Sequence, residues 1–238
     1  MNIIEYFDRT QIVNLAVRND RREETELEFK RFGFPINTDK VSFFKAISPD
    51  EPAGFPNSGA RGCFLSHMEI IREAKESGLN NLLILEDDIL FSKNILEYGS
   101  IAIENLSRLD WDIAYFGHTL ESDSDYVGWK ELNRPMLKTH CYAINKSIFD
   151  ELFKFLKRVL QRPAGHQDGG PMHYDGALNT FRKQNPKIKS YYFSKNLGYQ
   201  RPSVTDVHNL SFLDEKALFK PGMTLFRQLK RFFFRVYY

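Results

Sequence analysis

Several protein classes are excluded by what this sequence lacks. Two cysteines, Cys63 and Cys141, in 238 residues cannot build a disulfide framework. No apolar run approaches the roughly 20 residues needed to cross a bilayer, so no transmembrane helix is expected. The first glycine is Gly33, well past the first apolar run, so a G-x-G-x-x-G turn is missing where a dinucleotide fold would carry it. No G-x-x-x-x-G-K-[ST] occurs anywhere, and nicotinamide and P-loop readings fall away together. Nothing near Met1 combines a charged start, an apolar run and a small-residue cleavage site, which makes a reducing cytoplasm the expected compartment.

Acidic residues are absent from 216 to 238, where six basic ones lie: Lys216, Lys220, Arg227, Lys230, Arg231 and Arg235. Without these six, the remainder of the chain's 33 basic residues no longer outnumbers its 31 acidic ones, so the formal charge of +2 belongs to the tail. A body that is slightly acidic excludes a general nucleic-acid binder. On a helical wheel Leu225, Phe226, Leu229, Phe232, Phe233, Val236 and Tyr237 gather on one side, opposite the last four basic residues. Two readings of residues 223–238 stand: an interfacial helix on an anionic membrane surface, or a terminal helix docked on the core.

With 42% hydrophobic residues the chain can bury a core. Apolar runs predict strands at 11–15, 41–47, 81–85, 111–116, 139–144 and 188–193. Helical spacing predicts helices from an Asp20 cap to Phe32, over Gly62–Ser77 and Ile95–Leu106, from a Ser147 cap to Leu160, and over Asp175–Arg182. Between them, Pro49, Pro52, Gly54, Pro56 and Gly59 punctuate a loop. The alternation implies one α/β domain over residues 1–215, a mostly parallel sheet with helices on both faces, followed by the amphipathic tail 216–238.

Glu86, Asp87 and Asp88 follow the apolar run Leu82 to Leu85, at the carboxyl end of a strand, where open α/β sheets bind ligands. Three adjacent carboxylates resist joint ionisation, and a divalent cation relieves the repulsion. Hard oxygen donors suit Mg²⁺ or Mn²⁺. Alternation along an extended segment sets Glu86 and Asp88 on one side and Asp87 on the other. A solvated acidic turn is the competing reading. Cys63 and His67, four apart, are either half of a zinc site or a buried thiol beside a lining histidine. His166, Asp168, His173 and Asp175 are either a second metal site or a surface loop.

Five segments resemble glycosyltransferase family 25, the lipooligosaccharide and collagen galactosyltransferases: Val13-Asn14-Leu15 with Arg18 and Arg21; Arg61 to His67 (RGCFLSH); Leu83 to Asp88 (LILEDD); Thr139 to Ile144 (THCYAI); and Tyr199 to Asp206 (YQRPSVTD). The likeness covers roughly residues 10–206. It implies a GT-A-like, Rossmann-type α/β fold and transfer of a sugar, galactose in many members, from a UDP-sugar to an acceptor hydroxyl with inversion, helped by Mn²⁺ or Mg²⁺. Glu86 and Asp88 correspond to the metal-binding D-x-D pair, and His208 to a late histidine that joins the metal in some GT-A enzymes. Asn14, Arg18, Arg21, Ser66, His67 and Asp87 fall where the nucleotide would lie, and Gln200 to Asp206 either close over the donor or form a turn. Asp175 is the expected base, against the simpler reading of a helix cap. The acceptor would be a saccharide or glycolipid in cell-surface polysaccharide assembly at the inner face of a membrane. A nucleotide-sugar nucleotidyltransferase and a non-catalytic carbohydrate-binding protein are the alternatives.

Overall fold

The computed structural model describes residues 3–120 and 125–201; the amphipathic tail and His208 lie outside the described residues. In chain order the elements are α1 (Ile3–Tyr6), β1 (Arg9–Asn14), α2 (Asn19–Arg31), β2 (Val41–Lys45), α3 (Ser58–Glu76), β3 (Asn81–Glu86), β4 (Ile89–Phe91), α4 (Asn94–Leu106), β5 (Ile113–Tyr115), β6 (Trp129–Glu131), β7 (Cys141–Asn145), α5 (Phe149–Gln161), α6 (Tyr174–Gln184), β8 (Ser190–Phe193) and β9 (Gly198–Gln200). A seven-stranded sheet runs β2-β1-β3-β7-β5-β8-β6. Strands β1, β2, β3, β5 and β8 point one way while β7 and β6 oppose them, so the mostly parallel expectation holds with two reversed strands.

Each face of the sheet is covered. One core packs Phe64, Ile70, Ile71 and Ala74 of α3, Leu152, Phe155, Leu156 and Val159 of α5, and Ala177, Leu178 and Phe181 of α6 against Leu82, Ile84 and Ile144. The other packs Ile3 and Ile4 of α1, Phe29 of α2, and Ala102, Ile103 and Leu106 of α4 against Ile12, Leu83, Leu85 and Ala143. Alternate β3 residues thus serve opposite cores, which is why Leu82 to Leu85 form an unbroken apolar run.

Four local expectations change. Asp20 is not the cap of α2: the helix begins at Asn19 with Arg18 in the cap position, and Asp20 lies in its first turn. The helix α3 begins at Ser58, inside the breaker-rich stretch, because the Asn57 side chain accepts from the Ala60 amide (2.7 Å) and caps it. Ser147 is not the cap of α5: Asn145 accepts from its amide to start a 3₁₀ turn, Lys146–Ile148, and the Ser147 hydroxyl donates to Asp112. The helix α6 begins at Tyr174 with His173 in the cap position, so Asp175 is not an N-cap but a first-turn residue. Strands β4, β6 and β9, three residues each, are too short to show a period in the sequence.

Gly62 has a steric reason to be glycine. A Cβ there would collide with the carbonyl oxygen of Ile47 and press on Pro49, 3.1 Å away. The same junction is tied by Ser66, whose hydroxyl donates to Gly62 O (2.7 Å) and accepts from the Ile47 amide (2.8 Å). Gly62→Ala is expected to destabilise the protein by about 1–3 kcal/mol, an overpacking cost; denaturant unfolding with an unchanged midpoint would refute this reading of the junction.

Candidate active site

The carboxyl ends of β1 and β3 lie side by side with Val13 opposite Glu86. The Glu86 amide donates to His140 O (3.0 Å) and the Asp87 amide to Val13 O (3.1 Å), which pins the acidic triplet where the chain leaves the sheet. Beyond it, β4 pairs antiparallel with β9, bringing Gln200 opposite Ile89.

Asp87 faces inward. Its Oδ1 accepts from Arg21 Nη1 (2.8 Å), its Oδ2 from Asn14 Nδ2 (2.8 Å), and its carbonyl from Thr25 Oγ1 (2.7 Å). Arg21 and Asp87 are nearly closed to solvent, with side-chain exposures of 10% and 7%. Asn14, Arg21 and Asp87, expected beside the nucleotide, therefore form a buried polar cluster that joins β1, α2 and the triplet. Arg18 sits at the rim and clasps Asp20 at two points, 2.9 and 2.8 Å. Ser66 is fully buried with its hydroxyl committed to the Ile47 and Gly62 backbone, so its part is structural; this corrects its expected place at the nucleotide.

Glu86 and Asp88 behave differently. Asp88 is buried; its Oδ2 accepts from Gln200 Nε2 (3.0 Å), its carbonyl from the Arg201 amide (2.6 Å), and its Oδ1 has no hydrogen-bond partner. Burial raises its pKa against the pull of Arg21, and burial with the charges of Asp88 and Asp87 raises that of Glu86. The pair thus carries a cost of ionisation that Arg21, Arg201 and Gln200 offset only in part, and an orphaned carboxylate oxygen. Both features fit the divalent cation that the resemblance implies, and oxygen-only donors suit Mg²⁺ or Mn²⁺.

Asp175 reaches the same region from α6. Its Oδ1 accepts from the Gly176 amide (2.7 Å) and its Oδ2 from the Lys138 amide (3.1 Å), and its charge contributes to raising the pKa of Glu86 and Cys63. The topology therefore gathers Glu86, Asp88 and Asp175 from β3, its following turn and α6. His166 and Asp168 are not gathered with them; His166 Nδ1 accepts from the Asp168 amide (3.1 Å) in the loop before α6.

His67 is wholly enclosed and stacked on Tyr174, with centroids 4.2 Å apart and planes at 18°. The Tyr142 hydroxyl bridges His67 Nδ1 (2.8 Å) and the Tyr174 hydroxyl (3.0 Å). His67 Nε2 meets no hydrogen-bond partner and lies 4.0 Å from Glu86 Oε1. Burial lowers the His67 pKa to about 3, and the ring is neutral near pH 7.

Sequence reasoning missed Tyr174, Thr25 and the Lys138 amide, none of which carries a motif. Tyr142 and Gln200 lay within segments already singled out, but nothing in the sequence showed that they support His67 and Asp88. Arg201, also buried, pairs with Glu24 of α2 and so holds the end of β9 against the site.

A mixed, mostly parallel sheet covered by helices on both faces, with an acidic triplet at the end of its β3 strand, defines the class, an α/β protein of Rossmann-like architecture. The chain matches the model of glycosyltransferase family 25, described as an LPS biosynthesis protein, over residues 7–197, and it belongs to that family. It is 34% identical over 130 residues to procollagen galactosyltransferase 1-B of Xenopus laevis, spanning 47% of this chain and 21% of that protein. Human procollagen galactosyltransferase 2 is 30% identical over 132 residues, with the same coverage of 47% and 21%. The inactive glycosyltransferase 25 family member 3 of Mus musculus is 25% identical over 215 residues, 80% of this chain and 35% of that protein. The chain thus spans between 21% and 35% of the length of these relatives. Among solved structures, a glycosyltransferase involved in the glycosylation of the major capsid of PBCV-1 aligns over 83% of this chain and 94% of that one, with a TM-score of 0.48 and 13% identity.

Two outcomes test the site's construction. Asp87→Ala removes the carboxylate that Arg21 and Asn14 hold in this buried cluster and should cost about 3–5 kcal/mol in denaturant unfolding, the cost of breaking a buried pair; a loss below about 1 kcal/mol, as for a surface pair, would contradict the buried cluster. Because the folded-state pKa of His67 lies below its unfolded value of 6.5, the unfolded chain takes up the proton first as pH falls. Stability should therefore drop between about pH 6.5 and 3 through this group. Wild type should lose stability relative to His67→Gln across that window; parallel curves would show that His67 is not a buried neutral imidazole.

Proposed function

We propose that this protein transfers a hexose, galactose foremost, from a UDP-sugar to a hydroxyl of a saccharide or lipid-linked saccharide, with inversion and with Mn²⁺ or Mg²⁺ as cofactor. The observation that carries the reading is the Asp88 carboxylate, buried beside Glu86 with one oxygen unpartnered, at the strand end of a glycosyltransferase family 25 chain. Glu86 and Asp88 would hold the cation, which when bound supplies Lewis-acid compensation for the diphosphate's charge. Gln200, donating to Asp88 Oδ2, fixes the carboxylate so that Oδ1 points away from that bond.

Asp175 acts as the base. A carboxylate offers about four lone-pair positions, and the amides of Gly176 and Lys138 occupy one on each oxygen. The rest can accept the acceptor hydroxyl's proton while the two amides hold the group still. Arg18, at the rim, is the residue left to meet the nucleotide; Asn14, Arg21 and Asp87 hold the floor beneath it. His67, neutral, packs under Glu86 and keeps its carboxylate at the strand end. His208 as a further ligand, and residues 223–238 as a contact with an anionic membrane surface at the cytoplasmic face, remain part of the proposal. They draw on sequence alone.

The non-catalytic alternative has an observation in its favour, since relatives include proteins named as inactive family members. Incubation with a UDP-sugar panel and Mn²⁺, with and without chelator, separates the readings: chelator-sensitive transfer or slow donor hydrolysis supports the enzyme, and neither supports a binding protein. Asp88→Asn should lower turnover by at least about a hundredfold, the loss of several kcal/mol of charge compensation, and Asp175→Asn by about 10²–10⁴. Both variants should retain the wild-type fold by circular dichroism; full activity in either would remove the corresponding role.

A further inference from the structure

Among the described residues, the group of histidine, cysteine and acidic side chains brought to metal-ligand spacing is not the acidic triplet. It is Cys63, His67 and Glu86, whose sulfur, imidazole nitrogen and carboxylate oxygen all lie within 4.8 Å of one another. Cys63 and His67 are one turn apart on α3 and share a face; Glu86 meets them from the end of β3. His67 Nε2 is completely buried and has no hydrogen-bond partner. Buried polar atoms are overwhelmingly paired in native proteins, so an unpartnered ring nitrogen within 4.8 Å of two other donor atoms marks a place for a cation. The Tyr142 hydroxyl on Nδ1 and the stacking on Tyr174 hold the ring, as second partners do for metal-bound imidazoles.

We infer that Cys63, His67 and Glu86 form a binding site for a thiophilic divalent cation of the zinc class, with donor chemistry distinct from the oxygen-only pair Glu86 and Asp88. Sulfur, nitrogen and oxygen donors together select Zn²⁺ over Mg²⁺. Tetrahedral zinc, about 2.0–2.3 Å from its ligands, spaces ligand atoms roughly 3.3–3.8 Å apart. The His67 to Glu86 separation of 4.0 Å therefore needs only a small turn of the Glu86 side chain, which is 25% exposed. Cys63 is also partly exposed, giving the ion a way in and leaving a fourth position to water. On binding, the thiol releases its proton to solvent, since the thiolate is the ligand. Burial and the charges of Glu86, Asp175 and Asp88 hold the Cys63 thiol well above its ordinary pKa, so the free site keeps its proton and the ion's own charge must displace it. Glu86 belongs to both donor sets, so a thiophilic ion in this trio competes with a hard ion held by Glu86 and Asp88; that consequence alone rests on the proposed function.

Cobalt titration of the reduced, chelator-stripped full chain tests the site without reference to transfer activity. The expected result is a thiolate-to-cobalt charge-transfer band that saturates at one equivalent, is displaced by Zn²⁺ and not by excess Mg²⁺, is lost in Cys63→Ser and persists in Cys141→Ser. Absence of the band in wild type, or its survival in Cys63→Ser, overturns the site. His67→Gln, checked for folding by circular dichroism, should weaken cobalt binding at least about tenfold, and unchanged affinity also overturns it. A measurement on wild type alone guards against a misfolded variant: Zn²⁺ should slow alkylation of Cys63, read by peptide mass, and equal rates with and without zinc refute the site.

Discussion

Carboxylate crowding at the end of β3 is the constraint from which the local architecture follows. Three acidic residues in succession in a largely buried place resist joint ionisation. The fold divides them. Asp87 turns inward to Arg21 and Asn14 and becomes a structural ion pair, while Glu86 and Asp88 stay with raised pKa values and only partial compensation. Arg21 comes from the first turn of α2, Asn14 from the last residue of β1, and Thr25 ties the Asp87 carbonyl to the same helix. The ion pair therefore sets where α2 lies, and the position of α2 with Glu24 sets where Arg201 and the end of β9 lie.

Around the partly compensated pair the protein places neutral support. The His67, Tyr142 and Tyr174 stack is buried on the α3 and α6 side of the sheet and carries no charge near pH 7, so it shapes the site without neutralising it. Gln200 contributes a donor without a positive charge. The positive charges that oppose the raised pKa values come from Arg21, which acts on both carboxylates, and Arg201, which acts on Asp88. Gly62 lets α3 approach the segment after β2 and so sets the depth at which Cys63 and His67 meet Glu86.

Much of this was legible beforehand because it rests on local signals. The α/β alternation, the helical faces of α3 and α5, and the acidic triplet at a strand end follow from periodicity and from the buried run Leu82 to Leu85. The segments resembling family 25 held Tyr142 and Gln200 as well, though not their roles. Short strands were invisible: β4 and β9, three residues each, pair across more than 100 positions of sequence, and no local pattern announces a partner that distant. Ser66 was misjudged for a related reason, since a hydroxyl in a motif looks available until the backbone it is bonded to is known.

Sequence by itself determined the class of fold, the family and the residue types that gather at the site, because periodicity, apolar runs and contiguous motifs are properties of the chain read in order. Tertiary structure alone decided which carboxylate is tied down, that Asp175 lies in the first turn of α6 rather than at its cap with its carboxylate on the Lys138 and Gly176 amides, and that the buried Nε2 of His67 meets no hydrogen-bond partner. Those outcomes depend on distances between residues far apart in the chain and on whether each polar atom meets a partner or is left without one, and spacing along a sequence carries neither.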